Sequence, residues 1–162
     1  MAATHRDSTH MTDKQIIKAL AKALTATALP SELADFTAAR RDAAAEFIAP
    51  LLLKRKPDRP AIKLESVSED GQRVMRMAIV NRDKPFLVDS VAAAIGAQGL
   101  DIHRVLHPVL TVCRDAEGQL VAIGDGEDAV VESIIYLEIA RADARIRRAP
   151  SAEIEDVLDD IR

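Results

Sequence analysis

Tryptophan is absent from this chain of 162 residues, and three Phe and one Tyr leave aromatics at 2%. A core of any size must therefore be built from Ala, Val, Leu and Ile, which the 48% apolar content permits. Few aromatics also means few platforms for stacking bases or sugars. A single cysteine, Cys113, excludes an internal disulfide framework and suits a reducing cytoplasm. No run of about 18 apolar residues is present, so no membrane-spanning helix is expected. The first eleven residues, MAATHRDSTHM, lack the apolar stretch of a secretion signal and are expected to be disordered. A net charge of −4 argues against a general nucleic-acid binder. The length suits one domain with an appendage.

What is present falls into two halves. Residues 12–56 read as a helical segment. Thr12 and Gln15 fit a capping box, and Ile16, Ile17, Leu20, Ala23 and Leu24 recur at helical spacing. Lys14, Lys18 and Lys22 occupy the opposite, wet face. Pro30 should end this helix. Ser31 is the expected cap of a second one, with Leu33, Phe36, Ala43, Phe47 and Leu51 as its apolar stripe and Pro50 as a kink or stop. Such a hairpin needs another surface to cover. The string KRKPDRP, residues 54–60, reads as a solvated hinge rather than a nucleic-acid patch.

Over residues 57–162 the period changes from helical to alternating. Strands are expected over 62–67, 74–80, 100–114, 120–123 and 134–139, with Asp70-Gly71 and the segment 115–118 as turns. A helix is expected over 85–98, and a last one capped by Ser151 with Ile154, Leu158 and Ile161. From Val74 the order is β-α-β-β-α, a ferredoxin-like α+β unit without its last strand. That topology places strand four beside strand one. The strand over 62–67, hairpinned onto strand one, can fill the vacancy. Pro108 fits strand two as an edge strand, because proline removes a ladder donor.

Sites of chemistry are sparse. His103 and His107 would meet on a helix, but four residues of strand span about 13 Å, so a structural or interface role is expected instead of metal binding. The string GDGEDA, residues 124–129, matches a dinucleotide pattern by letters alone. Its three acids repel phosphate and a strand follows it, so a polar loop is expected. Cys113 reads as a small packing residue. Asp83 is expected to cap the helix that starts near Pro85, and Asp89 to gain from the same dipole. Asn81, Asp83 and the N–H groups after Pro85 could together hold an amino-acid effector, with Arg82 or Lys84 as carboxylate partners.

The stretch DKPFLVDSVAAAIGAQGLDI resembles the first turn and helix of an ACT domain, the amino-acid-sensing module of metabolic enzymes. Asp83, Lys84, Pro85, Leu87, Gly99 and Leu100 match that pattern. Phe86 departs from it, standing where the pattern has a Gly that admits ligand to the backbone. The longer strings VNRDKPFLVDSV, GLDIHRVLHPVLTVCRDAEGQL and ESIIYLEIAR resemble the N-terminal region of the very large bacterial NAD-specific glutamate dehydrogenases. The resemblance covers residues 62–162. It implies a parent enzyme that deaminates L-glutamate to 2-oxoglutarate, with NAD bound far downstream. This chain would be a non-catalytic, cytoplasmic regulatory or assembly module, without a cofactor or metal of its own. Its partners would be the rest of the parent chain and other subunits of a homo-oligomer. Any effector would be held by Asn81, Asp83, Lys84, Phe86, Leu87 and Asp89.

Overall fold

Thr12 and Gln15 open the first helix in the computed structural model, which describes residues 11–26, 33, 36–56, 59–69, 72–84, 87–97 and 102–140. The Thr12 hydroxyl accepts from the Gln15 amide at 3.2 Å, and the Gln15 side chain accepts from the Thr12 amide at 2.8 Å. This reciprocal box satisfies two amides that the first turn leaves unpaired. Helix α1, Asp13–Ala26, then buries Ile16, Leu20, Ala21 and Leu24.

Helix α2, Ala38–Leu53, differs from expectation at both ends. Its cap is Thr37, in extended geometry, whose hydroxyl accepts from the Arg40 amide at 3.2 Å. Leu33 and Phe36 therefore precede the helix instead of riding in its stripe, and the Phe36 amide closes a turn onto the Leu33 carbonyl. Ser31 lies outside the described residues, as does Pro30. The helix also runs through Pro50 to Leu53. Proline deprives the Glu46 carbonyl of its helical donor, but Glu46 and Pro50 are both exposed, so water can serve. Ile48, Ala49 and Leu52, all buried, hold the last turn on course.

Strands β1, Ala61–Glu69, and β2, Gln72–Arg82, form an antiparallel hairpin in unbroken register from Ala61 opposite Val80 to Glu69 opposite Gln72. Helix α3, Leu87–Ala97, follows. The single strand expected over 100–114 is two: β3, Ile102–Leu106, and β4, Val109–Arg114. Pro108 stands at the break, where it donates nothing and its carbonyl accepts from the Ile134 amide at 2.9 Å. Strand β5 is Leu120–Ile123 and β6 is Val130–Ala140.

The sheet runs β1-β2-β6-β4-β5, with β3 also paired to β6. One side of β6 takes β2 along its length; the other takes β4 and β3 in succession. The first strand thus fills the outer position beside β2, as the topology requires. The edge position expected for the strand carrying Pro108 does not extend to β4, which lies between β6 and β5. Residues 1–10 and the expected last helix lie outside the described residues.

Alternation along β6 separates two cores. Ile135, Leu137 and Ile139 join Met75, Met77 and Ile79 under Leu87, Val91 and Ile95 of α3. Ile134 and Tyr136 join Ala78 and Val80 under Ile16, Leu20, Leu24, Phe47, Ile48 and Leu52 of the α1–α2 hairpin. The expected helix layer of the ACT-like unit is α3. The surface the hairpin needed is the sheet's second face.

Replacing Pro50 by Ala tests how α2 tolerates its proline. Restoring the missing donor at an exposed helical position should raise unfolding stability by about 2 kcal/mol. The measurement is the urea midpoint at unchanged slope, and a drop would show that Pro50 serves the fold in another way.

Candidate functional site

The end of β2 and the start of α3 hold the residues expected to bind an effector. Asn81 is 7% exposed and lies opposite Ser133 of β6. The next residue but one, Asp83, is fastened to the same strand. Its amide donates to the Val131 carbonyl at 3.0 Å, and its carboxylate accepts from the buried Ser133 hydroxyl. The described bonds of Asp83 run to β6; residues 85 and 86, whose amides it was expected to cap, lie outside the described residues. Leu87 is 1% exposed and belongs to the core under α3. Asp89 is exposed in the first turn, where the helix dipole favours it. Lys84 is half-buried and engaged. Phe86 and Pro85 lie outside the described residues.

His107, at the junction of β3 and β4, joins this group. Burial holds its imidazole below its ordinary pKa, against the opposing pull of Asp83. Its Nε2 is shielded from solvent with no hydrogen-bond partner among the described residues. Ser133, Asp83 and His107 are the residue types of a hydrolytic triad in the wrong order. A nucleophilic serine needs the imidazole between itself and the carboxylate; here the hydroxyl donates its hydrogen bond directly to Asp83. His103 is exposed on β3.

The segment 124–129 is a loop of bends and turns followed by β6, so no helix amides converge on a phosphate there. Asp125, Glu127 and Asp128 are exposed, and Asp128 adopts φ 58°. Cys113 is half-buried with its Sγ 3.6 Å from the Gly124 carbonyl.

Two ion clusters lie under the α1–α2 hairpin. Glu132 has no exposed side-chain surface and takes two arginines. Arg114 grips it through two bonds of 2.8 Å, and Arg55 reaches it at 2.9 Å. Arg55 is 3% exposed, which corrects the solvated-hinge reading of residues 54–60 at that position, while Lys54, Lys56 and Arg59 are exposed as expected. Arg55 is drawn in because its amide donates to the Gly118 carbonyl and Lys54 bridges to Gln119, docking the chain on the β4–β5 turn. Gly118, at φ +88°, admits this approach; a Cβ there would stand 2.1 Å from the Arg55 carbonyl oxygen. Burial alone would raise the Glu132 pKa, but the hydrogen bonds and charges of Arg114 and Arg55 win, and its net position is below the ordinary value.

The second cluster joins Arg104 to Glu138 at 3.1 Å and Tyr136 to Glu138 at 2.9 Å. Burial, then the Glu138 charge, push the Tyr136 phenol well above its usual range. Aromatic rings cap the cations: Arg104 lies 4.7 Å from the Phe36 centroid and Arg76 lies 4.4 Å from that of Phe47. Arg76 also pairs with Glu65, its direct cross-strand neighbour. Sequence reading missed both clusters. The available signal was Glu132 and Glu138, six apart in the run VVESIIYLEIA and so on one face of an apolar strand, where each requires a cation.

Acid should destabilise the fold in two windows. His107 refuses a proton that the unfolded chain accepts, so stability falls as pH drops below about 6.5. The Glu132 contribution is present above the unfolded carboxylate value near 4.5 and is lost as pH falls through its lower folded value. Glu132→Gln should cost about 3–5 kcal/mol at neutral pH by stranding two buried guanidinium groups. It should also remove the lower window. The triple change Arg55→Met, Glu132→Leu, Arg114→Met should recover much of that loss. Urea titrations from about pH 2 to 8 check all three, and a loss under about 1 kcal/mol at neutral pH for Glu132→Gln would contradict the cluster's role.

Comparison with known proteins assigns a family to this architecture. The family model described as "Glutamate dehydrogenase, ACT1 domain" matches residues 20–154. The chain is 40% identical over 89 residues to an NAD-specific glutamate dehydrogenase of Pseudomonas aeruginosa, covering 52% of this chain and 6% of that protein. It is 32% identical over 85 residues to an NAD-specific glutamate dehydrogenase of Halomonas elongata, covering 50% of this chain and 5% of that protein. No solved structure matches. The chain therefore spans only a small part of the curated relatives' length, and it belongs to the glutamate dehydrogenase ACT1 domain family.

Proposed function

We propose that this chain is a non-catalytic regulatory or assembly module of a large NAD-dependent glutamate dehydrogenase. The parent converts L-glutamate to 2-oxoglutarate in the cytoplasm, with NAD held by another part of the chain. The observation that carries this reading is where the buried charge goes. Glu132, Glu138, Arg55, Arg104 and Arg114 are all turned onto one another, as befits groups that hold a shape. Strands β1 and β5 end the sheet order and carry the margins through which other subunits or segments of the parent would pair.

A second reading, effector sensing, is favoured by one feature: His107, whose Nε2 has no hydrogen-bond partner among the described residues, feels the charge of Asp83, which is bonded to Ser133, the cross-strand neighbour of Asn81. An amino acid there would meet acceptor and donor groups beside the first turn of α3. Titration of isotope-labelled chain with a panel of amino acids separates the two. Amide shifts confined to residues 81–89, 107 and 133 support sensing; silence across the panel supports the scaffold. In either case incubation with glutamate and NAD should yield no NADH, and measurable turnover would refute the non-catalytic assignment.

A further inference from the structure

The loop joining β5 to β6, residues 124–129, sets an aspartate directly before a glycine, and both Asp125 and Gly126 are exposed. Among the described residues the Asp125 carboxylate has no hydrogen bond or ion pair, and the Gly126 amide donates to nothing. The described bonds of the loop lie to either side of this peptide unit. The Gly124 amide donates to the Thr111 carbonyl at 2.7 Å, and the Gly126 carbonyl accepts from the Ala129 amide at 3.2 Å.

Asp125 is the one described aspartate followed by glycine. The contrast with its neighbours is chemical as well as structural. Asp115 precedes Ala116, and its carboxylate is held by the amides of Glu117 and Gln119 at 3.0 and 2.9 Å. Asp89 lies in the first turn of α3, where the helix fixes the backbone. Asp128 precedes Ala129, whose amide is already bonded.

An aspartate in this setting can react with its own backbone. The Gly126 nitrogen, uncrowded because its residue has no Cβ, attacks the Asp125 side-chain carboxyl carbon. A C–N bond forms, and the hydroxyl of the protonated carboxyl leaves as water with the amide hydrogen. The product is a five-membered cyclic imide. Water then opens either imide carbonyl. Opening at the side-chain carbon restores aspartate; opening at the main-chain carbon leaves isoaspartate, with the chain rerouted through an extra methylene. No oxidant, cofactor or second protein is consumed. We propose that Asp125 is a site of spontaneous isomerisation, and that the change uncovers Cys113. The second half follows from packing: a Cβ on Gly126 would stand 2.9 Å from the Cys113 Sγ, so the Gly126 backbone covers the half-buried thiol. Lengthening the chain at that residue moves the cover. The proposal goes beyond the assembly reading and depends on no ligand or partner.

The test is to age the 162-residue chain for weeks at neutral pH and body temperature, under a thiol reductant removed before assay. Ageing in heavy-oxygen water marks each imide that has opened, and peptide mapping with an isoaspartyl methyltransferase locates the product. Isoaspartate should accumulate at residue 125 at a rate within about 10-fold of that in urea-unfolded chain, because a peptide unit with no bond of its own opens at little cost. Mapping keeps this position apart from Asp70-Gly71, which lies outside the described residues. Asp125→Glu keeps the charge at an exposed position and should abolish the signal there, since closure would need a strained-entry six-membered ring. An aged chain without isoaspartate at residue 125, or one that forms it more slowly than that margin, overturns the assignment. Cys113 should react with a disulfide reagent faster in aged chain than in fresh chain or aged Asp125→Glu. Equal thiol rates in isomerised and fresh chain overturn the uncovering.

Discussion

Glu132 can stay ionised inside this protein only because both Arg55 and Arg114 reach it. A carboxylate with no exposed side-chain surface costs several kcal/mol to desolvate, and the pairing must offset that. Geometry makes it possible. Arg114 comes from β4, next to β6 in the sheet, and Arg55 comes from the segment after α2. For Arg55 to arrive, the backbone must pass close over Gly118, which it can do because glycine has no Cβ. One ion cluster thereby ties the helical hairpin to the far half of the sheet.

The two faces of β6 explain why the hairpin belongs to the fold and is more than an appendage. The face toward α3 is aliphatic, lined by Ile135, Leu137 and Ile139. The face toward α1 and α2 mixes Ile134 and Tyr136 with Glu132 and Glu138. An aliphatic face specifies burial but tolerates sliding; a face with paired charges accepts one position. Phe47 meets Tyr136 edge-on with centroids 6.3 Å apart and also caps Arg76, which adds directional contacts at the middle of the hairpin. With four aromatics in the whole chain, three lie at this one junction: Phe36, Phe47 and Tyr136.

Much of the secondary structure was legible from residue pattern. The capping box at Thr12, the hairpin into β2 and the placement of the first strand beside it follow from local chemistry and topology. The misjudged places have physical reasons. Thr37 took the cap because its extended backbone starts α2 later. Pro50 did not stop the helix because burial of Leu52 outweighed one lost bond at an exposed turn. Pro108 split a strand because β6 needed its carbonyl and not its missing amide. The candidate effector residues were gathered only in part: Asn81 and Asp83 converge on Ser133, while Leu87 turns into the core.

Local sequence, by itself, determined which segments became helix or strand and which face of each is apolar, because those preferences act over a few residues. It also carried the family likeness, since that is written in the string. What the tertiary structure alone decided is how the charges were matched. Arg55 and Glu132 are 77 residues apart and Arg114 and Glu132 are 18 apart. No periodicity connects such positions. Their pairing follows from the register of β4 on β6 and from the docking of the chain beyond α2 on Gly118, neither of which exists until the sheet has closed.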